Sequence, residues 1–251
     1  MKNNLRLLFF TLHSSFSTHK VNILLLGYGK MGRTIEQTAI KRGHTIAGRI
    51  DLHNRADLDA LSDVDVAIEF SSPESAVENL LMCFERGWPV VCGTTGWLHE
   101  RERVENQCLA TAGGFFYASN YSIGVNLFFK LNRTLARFMR NYPSYGVSMT
   151  EIHHTEKKDA PSGTAITLAE GVRDERFGQG DATETGLMAI ESVREGTVPG
   201  THIVRYESDV DRIEISHVAH SRQGFALGAV IAAEWMAGRQ GVFGMDDLLS
   251  E

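Results

Sequence analysis

The sequence contains few cysteines, and they form no pattern. Cys83, Cys92 and Cys108 are the only three, and none lies in a CxxC pair or at a Cys/His spacing typical of a metal site. An odd number of cysteines also argues against a disulfide framework. The sequence therefore indicates a reducing compartment, and we expect no metal site.

The sequence also has no excess of basic residues and no long apolar run. The chain has 25 basic and 31 acidic residues, a net charge of -6, and no basic cluster, which argues against nucleic-acid binding. No stretch reaches the roughly 20 apolar residues of a membrane span, and the apolar run at residues 5–10 is shorter than the roughly 7 residues of a secretory signal. We therefore expect a cytoplasmic protein with a small-molecule partner, no contact with membranes, and residues 1–20 as an extension outside the fold.

Apolar runs alternate with amphipathic stretches from residue 21 to about residue 122. The runs at residues 21–26, 45–50, 64–70, 89–92 and 115–118 predict strands, and helices are predicted up to Arg42, from Pro73 and from His99. Continuous Val, Ile and Leu in the strands is typical of a parallel sheet covered on both faces. We predict an α/β protein whose N-terminal part is a Rossmann-like, doubly wound parallel sheet.

The pattern changes after Asn120. A helix is predicted at residues 123–140 and a strand at residues 145–153, and residues 201–207 and 212–217 alternate like antiparallel strands. The apolar stretch at residues 225–235 predicts a buried helix that returns to the first domain. We therefore predict a dinucleotide-binding domain formed by residues 21–122 and 225–251. Residues 123–224 form the second, substrate-binding domain, of α+β type with a mixed sheet.

The first predicted strand is followed by the glycine loop GYGKMG, which fits the GxGxxG pattern. Gly27, Gly29 and Gly32, with Lys30 and Met31 between them, lie between a predicted strand and a predicted helix. In that context the glycines allow backbone amides to approach a pyrophosphate at the helix N-terminus. The alternative interpretation of the loop is a glycine-rich turn that binds no ligand. The loop predicts a dinucleotide site.

Asp51 lies at the end of the second predicted strand, where an acidic side chain binds a ribose hydroxyl. An exposed loop carboxylate is the alternative interpretation. The choice of cofactor stays open between NADH and NADPH. Asp51 repels a 2′-phosphate and favours NADH, while Arg49, His53 or Arg55 could bind that phosphate.

Two hydroxyl-bearing loops follow the third and fourth strands, where doubly wound sheets bind their ligands. The loop FSSP at residues 70–73 is also explained by a helix cap, because Ser72 precedes Pro73. The loop GTTG contains Gly93, Thr94 and Thr95, and its two glycines and two threonines exceed what a cap requires. We expect the second loop to be functional.

The segment EIHHTEKKDAPSGTA, residues 151–165, predicts the substrate chemistry. On a strand, Glu151 and His153 face one side and His154 the other, although paired histidines are often ordinary surface or core residues. Free amides at Gly163 and Thr164, which open a helix predicted at residues 165–172, combine with Lys157 into a site suited to a carboxylate. A nearby histidine can transfer a proton near neutral pH. Hydrolysis fits poorly, since there is no serine nucleophile elbow and no carboxylate cluster for a metal.

This segment resembles the signature E-x-H-H-x-x-K-x-D-x-P-S-G-T-A of the 4-hydroxy-tetrahydrodipicolinate reductase family, and every fixed position matches. The resemblance extends over residues 21–249 and includes the glycine loop, GTTG, ASNYSIGVN at residues 118–126, the run from REG at residues 194–196 through residue 217, and the run from residue 222 to 235. It implies reduction of a cyclic dicarboxylate by NADH or NADPH, with loss of water, in lysine and diaminopimelate synthesis. Family members are commonly homotetramers built through the sheet of the substrate domain, so residues 123–224 would also serve oligomerisation.

The resemblance also implies residue roles. His153 would protonate the substrate, Lys157 would bind or polarise it, and His154, Gly163 and Thr164 would hold its carboxylates. The nicotinamide would be bordered by Gly93, Thr94, Thr95, Ser119, Asn120 and Tyr121.

The sequence departs from the family at three places. Its glycine loop is one residue shorter than in many members, with Lys30 where they carry Arg, and the link between Asp51 and Val64 is short. Glu69 and Ser71 replace the more frequent Asp and Thr. Another Rossmann dehydrogenase and a dinucleotide sensor without catalysis are the alternative functions.

Overall fold

The computed structural model describes residues 19–178, 188–221 and 223–250. Most of the predicted extension, and Arg222, lie outside these residues. The first sheet is formed by β1 (Asn22–Leu26), β2 (Thr45–Ile50), β3 (Val66–Glu69), β4 (Val90–Cys92), β5 (Gly114–Tyr117) and β10 (Gly241–Phe243). The helices associated with it are α1 (Lys30–Lys41), α2 (Pro73–Glu85), α3 (Arg101–Ala110), α6 (Gln223–Met236) and α7 (Met245–Leu248).

The strand order of this sheet is β10-β5-β4-β3-β1-β2, and every pairing is parallel. Alternate residues of β1 enter two separate cores. Ile23 and Leu25 pack with residues of α1 and α6, whereas Leu24 and Leu26 pack with residues of α2 and α3. Because both faces are covered, the strands are apolar throughout. The predicted doubly wound parallel sheet is confirmed.

The second sheet contains β6 (Gly146–His153), β7 (Ala189–Arg194), β8 (Thr201–Glu207) and β9 (Arg212–Val218) in the order β7-β6-β8-β9. β6 pairs in parallel with β7 and antiparallel with β8, so the sheet is mixed, as predicted. Helices α4 (Ile123–Met139) and α5 (Gly163–Arg176) cover the face that carries Met149 and Val204. The sequence prediction missed β7, β10 and α7. It also began α5 at residue 165, two residues too late.

Two connecting segments pack against the first sheet. The short link after Asp51 contains a 3-10 helix, Arg55–Ala60, whose Leu58 is buried in the core. At the other end of the chain, α6 packs against α1 and leads into β10, which pairs with β5. Glu234 of α6 accepts two hydrogen bonds from Arg42, at 2.5 and 2.8 Å, and lies 2.6 Å from His44 Nε2. The C-terminal residues therefore complete the first sheet.

Among the described residues, no helix combines the length and the apolar character that a membrane crossing requires.

Gly228 allows α6 to approach the chain that leaves β5. A Cβ at this position would lie 1.7 Å from the carbonyl oxygen of Tyr121. Gly228→Ala should therefore push the helix away from the sheet and lower the free energy of unfolding by about 1–3 kcal/mol, measured by chemical denaturation. Gly224→Ala in the same helix is the matched control, because its nearest neighbour would be Ser122 Oγ at 3.7 Å. Equal stability of the two variants would contradict this account of the packing.

Candidate active site

A cavity of about 900 Å³ lies between the parts of the chain that carry the two sheets. On the side of the first sheet it is lined by Ser119 and Asn120, which follow β5. On the side of the second sheet it is lined by His153, His154, Lys157, Gly163 and Thr164. The structure thus brings every predicted substrate residue into one cleft, opposite the carboxyl ends of the parallel strands.

The wall of this cleft carries more positive than negative charge. The cationic side chains are Arg101, Lys130, Arg133 and Lys157, and the acidic ones are Asp246 and Asp247. Lys130 lies 3.7 Å from Asp246, an ion pair between α4 and α7. Arg101 and Lys157 also have acidic partners, Glu105 at 2.6 Å and Asp159 at 2.7 Å, so an anionic ligand would compete with these carboxylates.

The glycine loop is shaped by close backbone approaches. Gly27 has φ +94°, and a Cβ there would lie 2.2 Å from the carbonyl oxygen of Phe70. A Cβ on Gly32 would lie 2.3 Å from the carbonyl oxygen of Gly27. Gly29 is the N-cap of α1 and has open space beside it, so the first amides of the helix are accessible. This geometry suits a pyrophosphate.

A second cavity, of about 210 Å³, lies beside this loop and is lined by Gly27, Gly29, Asp51, Leu52 and Arg55, among others. The backbone N–H of His53 donates to Asp51 Oδ1 at 2.7 Å, so the carboxylate closes a turn and lines the cavity as well. Both interpretations of Asp51 are therefore compatible with its position.

The arginines considered for a 2′-phosphate already have acidic partners. Arg49 Nε donates to Glu36 at 2.7 Å, and Glu36 also accepts from the hydroxyl of Tyr28. Arg55 donates to Asn79 Oδ1 and to Glu78, each at 2.8 Å. A bound 2′-phosphate would have to compete with these contacts.

The two hydroxyl-bearing loops bind to each other. The N–H of Ser71 donates to Thr94 Oγ1 at 2.9 Å, and the indole of Trp97 donates to the carbonyl of Thr94 at 2.8 Å. A Cβ on Gly93 would lie 2.1 Å from the ring of Phe70. Gly93, Thr94 and Thr95 line neither of the two cavities, so their predicted contact with the nicotinamide stays a prediction.

Two further residues of this edge have structural contacts. Tyr121 is buried, and its hydroxyl donates to the carbonyl of Cys92 at 2.8 Å, which ties the segment after β5 to the end of β4. Glu69 is fully buried and accepts from Ser71 and from Cys92 Sγ, the latter at 3.2 Å. Burial and the Glu69 carboxylate raise the pKa of Cys92 well above its usual value.

The environment of His153 contains groups that the sequence prediction did not assign. His153 Nδ1 lies 2.5 Å from Glu151 Oε2, and Glu151 is fully buried. The other oxygen of Glu151 accepts from Arg194 Nη2 at 2.8 Å. The ring of His202 stands edge-on to that of His153, with centroids 5.1 Å apart, and its Nε2 lies 3.1 Å from Ser162 Oγ.

Burial lowers the pKa of His153, and the nearby Glu151 carboxylate only partly opposes this effect. Burial raises the pKa of Glu151, but hydrogen bonds from Arg194 and Ser192 outweigh it, so that pKa lies below its usual value. Burial lowers the pKa of His202 to about 4. Near neutral pH, His153 is therefore mainly neutral beside an ionised carboxylate. Because an ionised carboxylate only accepts, the short contact with Glu151 favours the tautomer that carries its proton on Nδ1, which leaves Nε2 to take up a second proton.

Glu151, His153 and His202 offer three ligand-type atoms within 4.8 Å of one another. That spacing is compatible with a metal ion, but both oxygens of Glu151 already contact His153 and Arg194. An ion would have to separate the 2.5 Å contact and lie beside a guanidinium. We therefore interpret the cluster as a proton-handling group.

The start of α5 is open to the cleft, where the sequence predicts a carboxylate site. Ser162 is the N-cap of α5, and its Oγ accepts from the N–H of Ala165 at 3.2 Å. A Cβ on Gly163 would meet nothing within 4 Å, so the first amides of α5 open into the cleft. Lys157 Nζ donates to both carboxylate oxygens of Asp159, at 2.7 and 2.8 Å. A carboxylate ligand would bind at the positive end of α5 and compete with Asp159 for Lys157.

A glycine loop on a doubly wound parallel sheet, together with a histidine, a lysine and an open helix start in a cleft beside residues that follow β5, is typical of an oxidoreductase that uses a nicotinamide cofactor. Residues 21–121 match the family model described as dihydrodipicolinate reductase, N-terminus, and residues 124–249 match the model for its C-terminus. The chain belongs to the dihydrodipicolinate reductase family.

Individual relatives agree with this assignment. The chain is 47% identical over 237 residues to the 4-hydroxy-tetrahydrodipicolinate reductase of Christiangramia forsetii, covering 92% of this chain and 98% of the relative. It is 39% identical over 197 residues to the enzyme of the same name from Methanosarcina barkeri, covering 75% of this chain and 74% of that relative. The structure of dipicolinate-bound dihydrodipicolinate reductase from Paenisporosarcina sp. TG-14 superposes with a TM-score of 0.74 at 20% identity, covering 91% of this chain and 99% of that one. This last likeness supports the fold.

Proposed function

We propose that the chain reduces 4-hydroxy-tetrahydrodipicolinate to tetrahydrodipicolinate with NADH or NADPH and loss of water, in lysine and diaminopimelate biosynthesis. The observation that carries the proposal is the meeting of His153, Lys157 and the start of α5 in one cleft that faces the strand ends of the nucleotide domain. The relatives named above support the substrate assignment.

The substrate residues have two roles, binding of the carboxylates and proton transfer. The amides of Gly163 and Thr164, with Lys157 and His154, hold the carboxylates of the ring. His153 donates a proton from Nε2, since its Nδ1 faces Glu151. When bound, the nicotinamide cofactor supplies the hydride.

The cofactor residues lie along the edge of the first sheet. Residues Gly27, Gly29, Lys30, Met31 and Gly32 bind the pyrophosphate, and Asp51 binds the adenosine ribose. The nicotinamide end is bordered by Gly93, Thr94, Thr95, Ser119, Asn120 and Tyr121. The open space at Gly29 and the position of Asp51 beside the smaller cavity support this placement.

The proposal extends to organisation and assembly. Residues 21–122 with 225–251 form the dinucleotide-binding domain, and residues 123–224 form the substrate and oligomerisation domain of a cytoplasmic homotetramer. The face of the second sheet opposite α4 and α5 carries the half-buried Ile152 and Ile203, which supports assembly through this face. Sedimentation equilibrium should give a mass four times that of the chain.

A coupled assay tests the activity. A dihydrodipicolinate synthase supplies the substrate, and the oxidation of NADH and of NADPH is followed separately with the purified protein. We expect oxidation that depends on the synthase. Binding of a dinucleotide without turnover of either cofactor would contradict the proposal and favour the dinucleotide sensor.

A further inference from the structure

Arg194 lies between the two predicted catalytic side chains. His153 ends β6, while Lys157 lies on the loop that follows. Arg194 ends β7 and is the register partner of His153 on the parallel neighbour strand. Its side chain is only 19% exposed.

One nitrogen of Arg194 connects both sides of the substrate site. Arg194 Nη2 donates to Glu151 Oε1 at 2.8 Å and to the backbone carbonyl of Asp159 at 2.6 Å. Glu151 contacts His153 through its other oxygen, and the carboxylate of Asp159 holds Lys157. Polar contacts therefore connect the imidazole to the guanidinium through Glu151. They also connect the guanidinium to Asp159, whose backbone carbonyl accepts from Arg194 and whose carboxylate accepts from Lys157.

The backbone around Arg194 reinforces this arrangement. The N–H of Glu195 donates to the carbonyl of His153 at 2.8 Å, and the N–H of Thr155 donates to the carbonyl of Gly196 at 3.2 Å. The turn after β7 thus holds the chain on both sides of His154. The side chain of Arg194 then secures the next part of the loop through Asp159.

The contacts require an arginine rather than any cation. A buried carboxylate such as Glu151 needs a partner that neutralises its charge and satisfies its lone pairs. The planar guanidinium offers five donors in a fixed arrangement, so it can bind a carboxylate and a carbonyl together, whereas a lysine ammonium is a compact charge on a flexible stem.

We propose that Arg194 is a positioning residue, which sets the proton donor His153 and the substrate-binding Lys157 at a fixed separation by binding Glu151 and the Asp159 carbonyl. This inference rests on the proposed function. Glu151 and Arg194 do not contact the substrate in this account. They act by positioning His153 and Lys157.

Three variants test the proposal: Arg194→Lys, Arg194→Met and Glu151→Gln. Both arginine variants should lower kcat by about 10- to 100-fold, because small misplacements of reacting groups have effects of this size. The dissociation constant for the cofactor, measured by fluorescence, should stay unchanged. Arg173→Lys and Arg173→Met are the matched controls, since Arg173 is exposed and paired with its neighbour Asp174.

The pH profile of kcat/KM separates positioning from a general loss of structure. Activity requires protonated His153, so it falls as the pH rises through the pKa of that histidine. Removing the positive charge in Arg194→Met favours proton uptake and should move this fall to higher pH, whereas removing the negative charge in Glu151→Gln should move it to lower pH. Arg194→Lys keeps the charge and should leave the profile in place while kcat stays low.

Two results would overturn the proposal. One is full kcat in Arg194→Lys, since a point charge would then suffice. The other is an equal loss of kcat in all three variants with no shift of the profile, which indicates a purely structural role. Failure of the proposed function is distinguishable, because the unsubstituted protein would then turn over neither cofactor.

Discussion

Replacement of His153 by glutamine is expected to lower kcat by about 10²- to 10⁴-fold, the usual contribution of a positioned general acid. Glutamine retains a polar side chain but cannot deliver a proton from the position of Nε2. The dissociation constant for NADH or NADPH should remain unchanged, because the glycine loop lies on the other domain. Single-turnover measurements at saturating cofactor would separate the chemical step from cofactor binding.

The role of His153 as proton donor also predicts how kcat/KM of the unsubstituted protein depends on pH. Burial lowers the pKa of His153, so the protonated form is present at low pH and is lost as the pH rises through that lowered value. The profile of kcat/KM should therefore fall below the pH expected for an unperturbed histidine, and the falling limb should disappear in His153→Gln. The control is His99→Gln, at an exposed histidine in the 3-10 helix Leu98–Glu100. Unchanged kcat with weaker cofactor binding in His153→Gln would show that the assigned roles are wrong.

Replacement of Lys157 by methionine is expected to raise KM for the dicarboxylate by about 10- to 100-fold, as for the loss of a charged hydrogen bond of about 1.5–3 kcal/mol. Methionine keeps an unbranched side chain and removes only the ammonium group. That group is presented to the cleft beside the start of α5 and is held by Asp159 at 2.7 Å. The initial rate as a function of substrate concentration, at saturating cofactor, gives KM and kcat separately.

Lys158 provides the matched control for this experiment. It is the next residue in the chain and is exposed. Lys158→Met should therefore leave KM close to that of the unsubstituted protein. If Lys157→Met instead weakened cofactor binding and left KM for the substrate unchanged, the separation into a nucleotide site and an anion site would be incorrect.

Local sequence patterns predicted most of the fold. The strand at residues 45–50 was placed with the bounds that the structure has, and the helix that begins at Pro73 was also identified. These segments combine a continuous apolar run or a helical period with a clear start signal. β10 was missed because its three residues are too few to show a period. β7 was missed because its alternation is weak, with polar and apolar residues that are mostly half-buried.

The substrate site was predictable to the extent that it is local. His153, His154, Lys157, Gly163 and Thr164 lie within twelve residues, so a strand end, a loop and a helix start bring them together wherever the rest of the chain goes. The sequence placed Glu151 on the same side of the strand as His153 but indicated no role for it. Its contacts with His153 and Arg194 depend on which strand pairs with β6 and in which register.

The sequence by itself determined the order of most strands and helices, the glycine loop and the segment at residues 151–165, because each depends on residues close together in the chain. The tertiary structure alone decided that Arg194 and His202, from two different neighbours of β6, lie beside His153. It also decided that Thr94 and Tyr121 bind neighbouring backbone, since those contacts join separate strand ends. Strand pairing brings distant residues together without leaving a local period, and for that reason the groups that tune His153 are visible only in the folded protein.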